Sequence, residues 1–151
     1  MFLSRDDFGR VIRHTPLVSI DLVVHDERDR VLVGLRLNRP ARGFWFVPGG
    51  RIYKDELMDD AFRRISHAEL GCSIPLADAG LLGVYEHLYD DDNALDLPAV
   101  STHYVVIAYR LRLAADSLVL PEGQHEHFRW MDVDELRADA AVHPNTKAYF
   151  G

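Results

Sequence analysis

Two hydrophobic periods run along this chain of 151 residues. The stretches "PLVSIDLVVH" (16–25) and "VLVGLRL" (31–37) are rich in β-branched residues and are joined by the polar turn "DERDR", which predicts a β-hairpin. "FWFVPGGRI" is a short apolar run interrupted by Pro48-Gly49-Gly50. "AGLLGVYEHLY" (79–89) and "STHYVVIAYRLRL" (101–113) read as long strands linked by an acidic loop, and "FRWM" as a short one. The other period is helical. In "DELMDDAFRRISHAEL" (55–70), Met58, Phe62, Ile65 and Ala68 fall on one face at about 100° per residue. Asp55 can cap this helix and Gly71 can end it. Short helices are expected at 4–13, with Ser4 as N-cap, and at 132–139, and the tail may add a further turn. Strands dominate around one central helix, so the fold class is α+β. No repeat or internal linker divides the chain, and residues 1–151 read as a single domain.

Glu69 breaks the helical pattern because it lies on the apolar face. A carboxylate there is costly unless a cation or hydrogen bonds hold it.

Composition is ordinary for a globular protein, with 48% hydrophobic and 27% charged residues. The net charge of −7 supplies no global basic field for nucleic acid, so a phosphate ligand must be captured by local cations. Cys72 is the single cysteine, so no internal disulfide can form. The apolar runs are too short to span a membrane and the start does not read as a secretory signal. A cytoplasmic protein is expected.

The spacing G-x5-E-x7-R from Gly50 through Glu56 to Arg64, followed by Glu69 and Gly71 behind "WFVPGG", resembles the Nudix box, G-x5-E-x7-R-E-U-x-E-E-x-G-U with U apolar. The resemblance implies a mixed sheet sandwiched between helices and hydrolysis of a nucleoside diphosphate derivative. Two departures carry information. Ile65 and Ala68 stand where the usual pattern has acids, on the side of the helix that also carries Glu69. The usual three carboxylates hold two or three divalent ions; one carboxylate can hold one Mg²⁺ if carbonyls, amides and phosphates complete the oxygen shell.

These departures, with "NRPARGFWFVPGGR", "YEHLYDD", "LPEGQHEHFRW" and "AYF", resemble the GDP-mannose mannosyl hydrolase branch of the family. That branch breaks the bond between the sugar anomeric carbon and the β-phosphate oxygen. The resemblance implies Gly49, Glu69 and Gln124 as ligands of one Mg²⁺, with Mn²⁺ as a substitute. Arg36, Arg51 and Arg64 are candidate guanidinium donors to the diphosphate, of which the resemblance favours Arg36 and Arg51 for direct contact; it implies Tyr104 as a donor to a phosphate oxygen, His125 as general base, and Asp21 and His87 as sugar contacts. It also implies a homodimer, to which the apolar "PLVSI" could contribute. Bland readings stand beside these. Arg64 could pair with Asp60, Glu56 could cap the helix or pair with Arg64, and Asp21 and His87 could be structural. His103 has no assigned role. The alternation of His125 and His127 could suggest zinc, but no third soft ligand is near. Phe44, Trp45 and Phe46 read as core or interface packing, with guanine stacking as a rival. The alternative activity is ordinary attack at phosphorus; a non-enzymatic nucleotide-sugar sensor is the other rival.

Overall fold

A computed structural model describes residues 2–120 and 127–151. Helix α1 spans Arg5–His14, strand β1 Leu17–His25, β2 Val31–Leu35, β3 Trp45–Phe46 and β4 Gly49–Arg51. Helix α2 (Met58–Leu70) is followed by β5 (Gly80–Tyr89), β6 (Thr102–Arg112), β7 (Phe128–Met131), α3 (Val133–Ala138) and α4 (Pro144–Lys147). The strands form one mixed sheet in the order β3-β2-β1-β6-β5. β4 pairs with β1 and β7 with β2.

Strand β1 organises the sheet. One edge runs parallel to β6 over its whole length, from Leu17 opposite Tyr104 to His25 opposite Arg112. Its other edge is shared. The far end pairs with β2 at His25 and Val31, as the polar turn predicts, while Ser19, Ile20 and Asp21 face Arg51, Gly50 and Gly49 of β4. Alternation along β1 separates two cores. Ile20, Leu22 and Val24 point to the α2 side and pack with Phe62, Ile65 and Leu70. Val23 points to the other side and packs with Ala108, Leu136, Val142 and Tyr149 beneath the C-terminal segments.

Helix ends follow local chemistry. Ser4 caps α1, its Oγ accepting from Asp7 N at 3.1 Å. Gly71 ends α2 at φ 77°, and a Cβ there would collide with Val119 O. The start of α2 differs from expectation. Asp55 sits at φ 68° outside the helix, Leu57 occupies the N-cap, and Met58 is the first helical residue. Glu56 explains the delay. Its carboxylate accepts from Tyr53 N at 3.0 Å and pairs with Arg64, which closes a turn ahead of the helix.

Two further packing expectations change. In "PLVSI", Leu17, Ser19 and Ile20 are buried within this chain, and only Pro16 and Val18, the latter 40% exposed, are left open to a partner. The edge strand β5 is more open: Leu81, Val84 and Leu88 are each more than 60% exposed. Phe46 is buried between the Arg36 guanidinium, 4.2 Å from its ring, and the stacked ring of His143 at 4.7 Å. Both of its faces are therefore occupied, which removes it as a base-stacking platform.

Candidate active site

Register places three of the expected residues on one face of the sheet. His87 on β5 lies opposite Tyr104 on β6, and Tyr104 is level with Leu17 on β1. Asp21 shares the face of Leu17 because strand side chains alternate. All three line a cavity of about 300 Å³ on the face away from α2, together with Arg36 and Arg51. A second cavity of about 430 Å³ opens on the α2 side, where Glu69, Arg64, Tyr53 and Phe8 line it. Gly49, Gly50 and Arg51 belong to both. Strand β4 is thus the thin rim over which one ligand can touch both cavities.

The glycines keep that rim thin. A Cβ at Gly49 would collide with Asp21 Oδ1 and Ile20 O, and one at Gly50 would lie 3.1 Å from Ile65 Cγ1. Glycine at 49 is therefore a demand of close approach between β4 and β1.

The arginines divide into two kinds. Arg64 donates Nε to Glu56 Oε2 at 2.6 Å, and Nη2 to Glu56 Oε1 at 2.9 Å and Arg51 O at 2.7 Å. This pairing with Glu56, not Asp60, holds Glu56 below the ordinary carboxylate range and raises Arg64. Arg36 and Arg51 have no carboxylate ion-pair partner among the described residues. Arg36 donates Nη1 to Pro40 O at 3.1 Å and rests on Phe46. The Arg51 guanidinium lies between the rings of Phe8 at 5.2 Å and Tyr53 at 5.0 Å. Aromatic faces hold both cations in place without neutralising them, so both remain available to an anion.

The acids and histidine are tuned by burial. Glu69 is pushed up to about 7 by desolvation, against the pull of Arg36, with the charge of Asp21 adding to the rise. Asp21 is pushed up to about 6 by burial, offset in part by Tyr149 and Arg36. His87 falls to about 4, first through burial and then through His143 and Arg36. Burial also raises Tyr104.

Tyr149 is the residue that sequence reasoning left unassigned. Its hydroxyl donates to Asp21 Oδ2 at 2.5 Å and lies 3.4 Å from His87 Nε2. The stretch "AYF" already carried part of the family resemblance, but nothing in its spacing says that the tyrosine returns 128 positions to β1. The cavity also contains Tyr89, whose hydroxyl accepts from Asn145 Nδ2 at 3.1 Å. Gln124 and His125 lie outside the described residues. His103, paired opposite Leu88, stays away from both cavities.

The family model for the NUDIX domain matches residues 15–150. The low-salt glycan biosynthesis protein Agl8 of Haloferax volcanii is 38% identical over 124 residues, covering 82% of this chain and 76% of that protein. Among solved structures, the MutT protein of Methanosarcina mazei superposes with a TM-score of 0.70 at 17% identity, covering 91% of this chain and 92% of that one. A MutT NUDIX hydrolase of Burkholderia pseudomallei gives 0.68 at 24% identity, covering 90% and 96%. The chain belongs to the NUDIX family, and its mixed sheet with flanking helices is the Nudix fold.

Nudix hydrolases generally use a divalent metal such as Mg²⁺, and the residues present fit one. Glu69 has no hydrogen-bond or ion-pair partner among the described residues, and it shares a cavity wall with Gly49. A desolvated, unpartnered carboxylate beside a backbone strand is a donor set for a hard cation. No group of three His, Cys, Asp or Glu able to hold a metal occurs among the described residues. No helix among them is long and apolar enough to cross a membrane.

Proposed function

We propose that this chain hydrolyses GDP-mannose, and GDP-glucose as a close second, to GDP and free sugar by water attack at the anomeric carbon with inversion. The observation that carries the reading is the pair of cavities joined at β4, with one unpartnered carboxylate on one side and a polar pocket holding Asp21, His87 and Tyr104 on the other. Attack at phosphorus on a diphosphate calls for several clustered acids; departure of an intact diphosphate calls for cations around the leaving group and one base. Ile65 and Ala68 fit the second demand. The glycan-biosynthesis name of the Haloferax volcanii relative also favours a nucleotide-sugar substrate.

The roles are those the family resemblance implies. Arg36 and Arg51 neutralise the diphosphate, Tyr104 donates its hydroxyl to a phosphate oxygen, and Arg64 holds the Arg51 segment through the Arg51 carbonyl. Asp21 and His87 orient the sugar. His125 takes the proton from water as its oxygen bonds to carbon and the carbon–oxygen bond to GDP breaks. Glu69, the Gly49 carbonyl and Gln124 would hold one Mg²⁺, with Mn²⁺ as a substitute. When bound, the ion supplies positive charge to the departing diphosphate. The protein acts as a homodimer, for which exposed Leu81, Val84 and Leu88 on the open edge strand are the apolar surface. A monomer by light scattering at micromolar concentration would refute that part.

The decisive experiment is GDP-mannose hydrolysis with Mg²⁺ in ¹⁸O-labelled water. Label in free mannose and none in GDP is expected. Label in GMP or mannose phosphate means attack at phosphorus. Binding without turnover means a sensor.

A further inference from the structure

Tyr149 sits between the two residues assigned to the sugar. Its ring is 5% exposed and packs edge-on against Tyr85 at 4.7 Å. The 3₁₀ turn Ala148–Phe150 that carries it is pinned from outside, where Phe150 O accepts from Arg137 and the Phe150 ring meets His25. The hydroxyl therefore has little freedom to turn elsewhere.

A tyrosine hydroxyl has one proton. The hydroxyl donates that proton to Asp21 Oδ2 at 2.5 Å. The phenol oxygen then has only lone pairs left for His87 Nε2 at 3.4 Å, a contact that favours the tautomer with the hydrogen on Nε2. The imidazole is buried and neutral, which makes its other nitrogen, Nδ1, an acceptor. Neither Nδ1 nor Asp21 Oδ1 has a hydrogen-bond partner among the described residues, and both side chains line the same cavity.

Resting on the sugar-binding reading of this cavity, we propose that Tyr149 is a positioning residue that fixes the cavity's hydrogen-bond polarity. It consumes one atom of each neighbour and leaves two acceptors, Asp21 Oδ1 and His87 Nδ1, turned to the ligand. Two acceptors side by side select a ligand with two donors, and neighbouring hydroxyls of a hexose supply them. A phosphate, which offers acceptors, is refused at this end of the site. The arginine-lined rim takes it instead. The polarity of the pocket thus sets which end of a nucleotide sugar enters.

The test starts with ¹⁵N-histidine-labelled protein at pH 8 without ligand, with His87 assigned through His87→Gln. Nitrogen shifts are expected to show the Nε2–H tautomer in the unmutated protein and a mixture in Tyr149→Phe. The Nδ1–H tautomer in the unmutated protein overturns the proposal, and that measurement needs no variant of Tyr149 to fold. The second readout compares kcat/KM for GDP-mannose with inhibition by GDP, which lacks the sugar. Tyr149→Phe is expected to lower the first about tenfold and leave the second within about twofold. Equal loss in both would show a merely structural role. Absence of GDP-mannose hydrolysis by the unmutated protein would reject the proposed activity, while the tautomer result still decides the role of Tyr149.

Discussion

Glu56 and Arg64 are joined by two parallel bonds of 2.6 and 2.9 Å across the turn that precedes α2. A planar fork facing a carboxylate is the strongest geometry open to an ion pair, and this one is half-buried. Glu56→Gln keeps the shape and removes the charge. A loss of about 1–2 kcal/mol is expected, between the values for exposed and buried pairs. The sign of the pH effect is set by Glu56 lying below its ordinary value in the fold. Its contribution is complete above the unfolded carboxylate range and disappears as pH falls through the folded one. Urea unfolding at pH 7 and pH 3 checks both: the variant and the unmutated protein should differ at the first and converge at the second.

Glu69→Gln separates function from stability in opposite directions. Mg²⁺-dependent turnover should be almost abolished. Yet the metal-free variant should be more stable than the unmutated protein at pH 8. A carboxyl raised to about 7 in the fold is penalised when charged, so the penalty is present above that pH and relieved below it, down to the unfolded value. Thermal unfolding with chelator at pH 8 and pH 5 measures this. An equal melting temperature at pH 8 would remove the desolvated-carboxylate account.

His87 gives the reverse dependence. Its folded value near 4 lies below the unfolded one near 6.5, so the unfolded chain takes up the proton first. The stability it allows is complete above pH 6.5 and is lost as pH falls toward 4. Measured as His87→Gln minus the unmutated protein in chelator, the difference in melting temperature should be flat above pH 6.5 and rise on acidification. A flat difference throughout would show that His87 is not held neutral.

Much of the scaffold was legible because its signals are local. The β1–β2 hairpin, Ser4 as cap, Gly71 as terminator and the two long strands all follow from period, capping and turn chemistry. The box spacing likewise brought Gly50, Glu56, Arg64 and Glu69 to one region. What failed to show was set by distant pairing. Asp55 looked like a cap because its side chain suits one, but the Glu56–Arg64 bond, spanning eight positions, moved the start of the helix. "PLVSI" looked available to a dimer interface because it is apolar; pairing with β6 and β4 and, for Ile20, packing under α2 bury Leu17, Ser19 and Ile20 within the chain. Tyr149 carries no local mark at all.

The two lost acids of the box are unequal in structural terms. Both line the cavity on the α2 side, but Ile65 is 2% exposed and close against Gly50, whereas Ala68 is exposed beside Glu69. Restoring glutamate at the two positions therefore tests different things. Ile65→Glu places a carboxylate against the core of Phe62, Leu22 and Leu70; of the cations lining the same cavity Arg64 is already paired with Glu56, which leaves Arg51, and a loss of about 1–3 kcal/mol is expected. Ala68→Glu meets solvent and should change stability little. It adds a second carboxylate one position from Glu69, so tighter Mn²⁺ binding is expected, read as a lower dissociation constant by electron paramagnetic resonance. Release of GMP should still not appear, because attack at phosphorus also needs a water held in line with the leaving oxygen, and a side chain on α2 does not supply one. Efficient GMP release from Ala68→Glu alone would mean that carboxylate number, not water placement, decides which bond breaks, and the division of labour argued for the two cavities would fall with it.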